Sequence, residues 1–495
     1  MLRKGLIRLI APGVILFWMV MTAFLVQREL LMERAPMDAR AAQTPTDAWM
    51  GVYLPGDVQV GFLNVRTTPS LREGREGTRM QMSAQLGLNL LGTEVDLTLL
   101  GSAWASMDKG LETFDMRLRS GDYDTRVEGV VVDDRLDLNV KTAGETVPLS
   151  FPLQGGLRIW GGSGLSSMSL PPMNPGDGYT IDTFDPLTLT TAPARLRCTG
   201  REIIEVSGER IEASVVTVES SGMTNRAWIA SDGEVLQLES PMGLTLRRVT
   251  PQEAIVGRSG AASSDLLGIT AVAPEGLRPR NGARRMVVRL SGIDPDVPLP
   301  TDATQTSPDG QNLVIASPSA PEAVQTPFAA EDAEALAPYL GGDAFIQTEH
   351  EIVRTTAAEI VGEITDPWSR AMAIYEWVYA NIEKESTVSI PSALEVLQNR
   401  RGDCNEHTIL FAALARAVGI PTRVALGVVW SDRLDGFYYH AWPEVHVGRW
   451  IWMDPTLGQP IADATHLKLL TGGIDKWPEL ISFLGRLRIE VTELE

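Results

Sequence analysis

Residues 401–423 read RGDCNEHTILFAALARAVGIPTR. Asp403 and Glu406 have the spacing of a capping box, and Ile409, Leu410, Ala413, Leu414 and Ala417 then recur at helical spacing. Gly419 is a natural stop, with Pro421 just beyond it. The stretch therefore predicts a helix that begins at Cys404 and buries one apolar face. A thiol at that position feels the positive end of the helix dipole, which favours the thiolate. The chain has only two cysteines among 495 residues, so one at a helix mouth draws attention. The other, Cys198, lies in a different segment and reads as a small buried residue or a chance surface thiol.

Two further residues follow in strand-like segments. Residues 422–430 and 437–447 are rich in Val and aromatics, and His440 sits in the second. After Gly448-Arg449 the chain returns as Trp450-Ile451-Trp452-Met453-Asp454. Cys, His and carboxylate in that order are the parts of a thiol acyl-transfer site: a neutral imidazole takes the thiol proton, and the carboxylate fixes its tautomer. Taken singly, each has a plainer reading: an inert buried thiol, a packed histidine, an Asp opening a turn before Pro455. Taken together, in order, the catalytic reading leads. The hairpin also sets a register test. A turn centred on Val447 puts His440 opposite Asp454, whereas a two-residue turn at Gly448-Arg449 offsets them by three and calls for a bulge near Pro443. Cys404 and His407 could instead share a metal ion, but a zinc site wants three or four ligands and no second Cys/His cluster is at hand. No metal and no cofactor are expected.

The segment Ala393–Gly458 resembles the transglutaminase-like superfamily in its bacterial form. The resemblance rests on four stretches in order: Arg401–His407, Leu414–Arg423, His440–Val445 and Trp450–Thr456. It implies a papain-like core with Cys404 as nucleophile, His440 as base and Asp454 as orienting carboxylate. That superfamily includes cross-linking enzymes, peptidases and amidases, and members that have lost catalysis. For the oxyanion hole the Cys404 N–H is one candidate donor; Gln398 and Asn399 lie close in sequence and read equally well as helix-end residues.

The rest of the chain reads differently. Arg3, Lys4 and Arg8 precede Leu9–Val26, eighteen residues without a charge. That pattern predicts an uncleaved transmembrane signal anchor over 1–34, with the N-terminus cytoplasmic and the bulk in the periplasm of a bacterium; the rival is a cleaved signal peptide, whose small-x-small site Ala39-Arg40-Ala41 lies about fifteen residues past the apolar run. A small polar linker follows at 35–48. From 49 to 256 short alternating runs and turns such as Asp133-Asp134 and Ser231-Asp232-Gly233 predict an antiparallel β domain. A small β module with a long loop is expected at 264–317, a linker at 318–343 and the thiol domain at 344–495. With 63 acidic against 43 basic residues and a formal charge of -20, a nucleic-acid surface is excluded.

The expected fold class is thus α+β: an N-terminal transmembrane helix, antiparallel β domains and a C-terminal papain-like, transglutaminase-like domain. The expected function is a membrane-anchored periplasmic thiol enzyme that forms a thioester at Cys404 from an amide. Water would resolve it as a peptidase or amidase does, or an amine would take the acyl group. The expected partners are the inner membrane and a protein or peptide substrate, with cell-wall peptide as one option. The alternative is a catalytically silent envelope scaffold that binds through its β domain.

Overall fold

A computed structural model describes residues 33–34 and 45–495, apart from 91–92, 107–108, 154–156, 160–172, 186–188, 221–222, 241–242, 257–267, 269, 294–296, 322–329, 391 and 474–475. Long alternating strands dominate its first half. Along Tyr123–Val132 and Arg135–Thr142 inward residues alternate with outward ones, so Val127, Leu136 and Val140 are fully buried while their neighbours face out. Each such burial stabilises by roughly 1.5–3 kcal/mol. Val132 pairs with Arg135 across Asp133-Asp134, and Asp133 takes a positive φ of 52° as a tight hairpin requires.

The strands form one sixteen-stranded sheet in which nearly all neighbours are antiparallel. Thr46–Leu54 lies inside it, paired on one side with Val58–Arg72 and on the other with Thr245–Arg248. It thereby joins two meanders, one running to Glu145–Pro152 and the other from Gly178–Asp185.

Among the described residues, 344–495 combine a four-stranded antiparallel sheet with helices, of which four exceed five residues. These four are Glu351–Val361, Pro367–Asn381, Ala393–Asn399 and Cys404–Ala417. Asp366 caps the second, accepting from the Ser369 N–H at 2.8 Å, and Ser392 caps the third. The sheet runs in the order Trp450–Trp452, Gly436–His446, Thr422–Ser431, His466–Thr471. A five-stranded sheet lies beside it. Its strand Arg488–Leu494, from the chain's last residues, sits between Pro274–Gly276 and Arg285–Ser291. The segment expected as a small β module at 264–317 is therefore completed by a strand from within the span expected as the thiol domain, 344–495.

The expected fold class is corrected. The molecule is mostly β, 52% strand against 17% helix, rather than α+β. The physical reason is strand length: the large sheet contains strands of 14 to 17 residues, such as Thr190–Val206 with 17, whereas the long helices are confined to the C-terminal part. No described helix is long and apolar enough to cross a membrane, so an N-terminal transmembrane helix is not part of the described fold. Residues 9–26, where one was expected, lie outside the described residues.

The large sheet grips the thiol region at its most sensitive point. Phe345 and Ile390 are buried in one cluster with Leu136, Leu138 and Phe184 of the sheet. Tyr123 donates its hydroxyl to the Arg401 carbonyl at 2.5 Å. Glu395, 4% exposed, accepts from the Thr142 hydroxyl at 2.5 Å and the Asp124 N–H at 3.2 Å.

Candidate active site

The cysteine helix begins where the sequence places it. Asp403 is the N-cap, its side chain accepting from the Asn405 N–H at 2.8 Å, and Glu406 accepts from the Asp403 N–H at 2.9 Å to complete the capping box. Gly402 lies just before, with a φ of 154°; a Cβ there would sit 2.3 Å from that of Glu406. Only glycine lets the chain enter the helix this tightly.

Cys404 occupies the first helical position, half-buried and unbridged, and Cys198 is buried and free. The backbone of Ala441, the residue after His440, acts to lower the Cys404 thiol. Burial and the Asp403 carboxylate push that thiol well above its ordinary range, and the Ala441 backbone opposes them without reversing the sign. Both act against the thiolate that the helix dipole favours, and the carboxylate that caps the helix offsets that dipole.

His440 is 3% exposed, on the strand Gly436–His446. Its Nε2 lies 2.7 Å from Asp454 Oδ2. Its Nδ1 is buried without a hydrogen-bond partner among the described residues. Asp454 is fully buried, and its Oδ1 accepts from the Thr456 and Leu457 N–H groups at 2.8 Å each. Asp454 thus opens a turn and also orients the histidine. Burial alone would raise its carboxyl, but His440 and His466 outweigh that and hold it well below the usual carboxylate range.

The register differs from both sequence alternatives. Val445 pairs with Ile451 and His446 with Trp450, so the turn is centred on Gly448. Met453 N–H continues the ladder to the Pro443 carbonyl at 3.0 Å. Trp442 then faces Asp454, and His440 lies two residues further along. An even offset keeps both on one face of the sheet, and the pairing runs without a bulge near Pro443.

His466 was not anticipated, nor was Asp463. His466 Nε2 lies 3.0 Å from the Asp454 oxygen that also meets His440, and its Nδ1 lies 3.2 Å from the Asp463 carbonyl. Burial would lower its imidazole, but the hydrogen bonds to Asp454 and Asp463 push it up to about 9. The only sequence signal was His466 and Lys468 at alternate positions of an otherwise apolar strand. Gly427 makes the arrangement possible. It lies between the two histidine strands, and a Cβ there would sit 2.0 Å from the Leu467 oxygen and 2.9 Å from the Trp442 ring.

The same face carries a second buried polar group. Lys468, fully buried, pairs with Glu444 at 2.6 Å and with Asp302 from the long loop; Arg423 pairs with both carboxylates. The Trp452 indole lies beneath Lys468, 4.7 Å from its Nζ. Gln398 and Asn399 do not serve an oxyanion: their amides donate to the Ala143 and Asp122 carbonyls of the large sheet at 3.3 and 3.4 Å. His407 Nδ1 meets the Asp403 carbonyl at 2.7 Å, and its buried Nε2 has no hydrogen-bond partner among the described residues. A cavity of about 450 Å³ is walled by Asn405, Thr408 and Ala441 on one side and by Leu149, Phe151 and Leu189 of the large sheet on the other.

His440, Asp454 and His466 are close enough to be considered as metal ligands, within 4.8 Å of one another. Their spacing argues otherwise. Ligands about 2.0–2.1 Å from a tetrahedral zinc lie roughly 3.3 Å apart, whereas His440 and Asp454 approach to 2.7 Å, a hydrogen-bond length.

Residues 354–455 match the transglutaminase-like superfamily. An uncharacterized protein of Haemophilus influenzae is 32% identical over 95 residues, which are 18% of this chain and 26% of that protein. This chain thus spans about a quarter of that relative's length. A candidate cysteine protease from Cytophaga hutchinsonii aligns over 46% of this chain and 85% of its own, at 18% identity and a TM-score of 0.27. A β-barrel-like protein with a domain of unknown function from Brucella abortus aligns over 42% of this chain and 97% of its own, at 9% identity and a TM-score of 0.29. Neither score is high enough to bear on fold or chemistry. Motifs and sequence match agree on the C-terminal third: residues 354–455 are a transglutaminase-like domain.

Proposed function

We propose that this protein is a thiol enzyme that attacks an amide carbonyl through Cys404. One observation supports this most. His440 sets Nε2 2.7 Å from Asp454 and keeps a buried Nδ1 with no hydrogen-bond partner among the described residues, while the Ala441 backbone beside it acts to lower the Cys404 thiol. An Nε2–H bonded to a carboxylate leaves the lone pair on Nδ1, the form that accepts a proton.

In the proposed cycle His440 Nδ1 takes the Cys404 proton as sulfur adds to the carbonyl carbon. The Cys404 N–H donates to the developing oxyanion. The imidazolium, stabilised by Asp454, then protonates the leaving nitrogen, and its C–N bond breaks to leave a thioester. Water or a second amine adds to that thioester, giving its proton to His440, and Cys404 is released. Burial and the Asp403 carboxylate raise the thiol, so proton transfer to His440 accompanies attack.

The substrate class we propose is a protein or peptide amide. On the basic-then-apolar pattern of residues 3–26 alone, we place the folded body in the periplasm. The rival reading, a silent scaffold, has no use for Cys404. Labelling with a thiol-directed, amide-mimicking probe separates the two: the wild type is labelled at Cys404 and Cys404→Ala is not. Equal labelling of both sinks the enzyme reading.

A further inference from the structure

We propose that His466 is a positioning residue held as a permanent cation, which fixes Asp454 and limits how strongly Asp454 can stabilise a protonated His440. This deepens the thiol-enzyme reading above and rests on it.

Both ring nitrogens of His466 face acceptors. Nε2 meets Asp454 Oδ2 at 3.0 Å, and Nδ1 meets the Asp463 carbonyl at 3.2 Å, with Asp463 Oδ1 at 3.4 Å. A neutral imidazole has one N–H and one lone pair. Either neutral tautomer would therefore aim a lone pair at an oxygen, in a ring with no solvent exposure to relieve it. Only the imidazolium satisfies both contacts.

The surroundings keep it charged. Asp463 is itself anchored by the Gly282 and Thr465 N–H groups, at 2.7 and 2.9 Å, and by the Gln459 amide at 3.0 Å. The nearby cations Lys468 and Arg423 are committed to Glu444 and Asp302. Rings of Trp442 and His440 close the remaining sides, at centroid distances of 5.1 and 6.0 Å. Further out, on the cysteine helix, lie Cys404, Asp403 and Glu406.

Two consequences follow. Asp454 Oδ2 is shared by two N–H donors, so its position and the His440 tautomer are set together. A carboxylate already paired with one cation also stabilises a second one less. Two unit charges 6.0 Å apart oppose each other by an amount equal to roughly one to two pH units at an effective dielectric near 20. The fixed charge thereby keeps His440 a proton acceptor to lower pH than Asp454 alone would allow.

The test uses the full chain and two readouts. The first is the rate of iodoacetamide alkylation at Cys404 against pH, read by mass spectrometry of its peptide, in wild type and His466→Gln. The variant keeps a donor toward Asp454 but carries no charge. The acid limb is expected to move up by about one to two pH units; a limb that stays in place, with only the overall rate lowered, overturns the proposal. The second is ¹⁵N NMR of histidine-labelled protein, with the other four rings assigned by single Gln substitutions. His466 is expected to carry protons on both nitrogens at pH 7.5, and a single-tautomer ring overturns the proposal. If His466→Gln does not fold, the ring state alone decides. A wild-type Cys404 that alkylates as a free thiol, with His466 still doubly protonated, counts instead against the enzyme reading.

Discussion

His440 and Asp454 meet diagonally across a hairpin centred on Gly448, two residues out of direct opposition and on one face of the sheet. An even offset lets a carboxylate beyond the end of one strand reach a ring on the next, with no distortion of either. Asp454 then has a single task toward His440, to hold Nε2–H. Asp454→Asn keeps the shape but can present an N–H to Nε2 and so favours the wrong tautomer. A loss of about 10³–10⁴ in kcat is expected, with the unfolding midpoint lowered far less than by Asp454→Ala. Steady-state kinetics on a Cys404-dependent substrate, beside thermal melts, check it.

Gly402 sets the entry to the cysteine helix. Gly402→Ala must fit a methyl 2.3 Å from the Glu406 Cβ at a φ of 154°. Expected are a stability loss of roughly 2–4 kcal/mol by urea unfolding and a displaced Cys404. Unchanged stability together with unchanged Cys404 alkylation would contradict the capping account.

The buried His466 gives the stability a defined alkaline dependence. Its imidazole is raised from about 6.5 to about 9 in the folded state. The folded protein therefore binds this proton more tightly than the unfolded chain. The contribution is complete below pH 6.5, shrinks as pH rises and is gone above about 9, a difference on the order of 3 kcal/mol. On the acid side Asp463 is held down to about 2. Its contribution is complete above the ordinary carboxylate range and is lost as pH falls through about 2. Urea midpoints from pH 6 to 10 should fall steeply for the wild type and much less for His466→Gln.

Lys468 joins the long loop at Asp302 to the catalytic sheet at Glu444. Lys468→Met leaves two buried carboxylates with only Arg423 between them, and about 3–5 kcal/mol of stability should be lost. Replacing Glu444 by Leu in the same chain should recover part of it, because fewer buried charges remain unpaired. A double-mutant cycle in urea reads the coupling.

Much of this site was legible in advance, for local reasons. Asp403 and Glu406 announce the helix start, and Gly419 and Pro421 its end. Each signal acts within one turn of the chain. The register at Gly448 was not legible, because a three-residue connection and a two-residue one suit the same residues. The upward push of burial on the Cys404 thiol was not legible, because the dipole and Asp403 are local to the helix start while burial is set by distant segments. His466 was missed because a histidine in an apolar strand carries no mark of what faces it.

The sequence alone determined that Cys404 opens a capped helix, that alternating strands occupy the first half, and that residues 354–455 are a transglutaminase-like domain. These rest on periodicity and on contacts between residues a few positions apart. Tertiary structure decided that strands outweigh helices, that the large sheet is pinned to the cysteine's approach by Tyr123 and Glu395, and that Asp454 serves two histidines. Those depend on contacts between residues as far apart as Tyr123 and Arg401. No local preference encodes such contacts; they arise only when burial forces distant polar groups to find partners in one another.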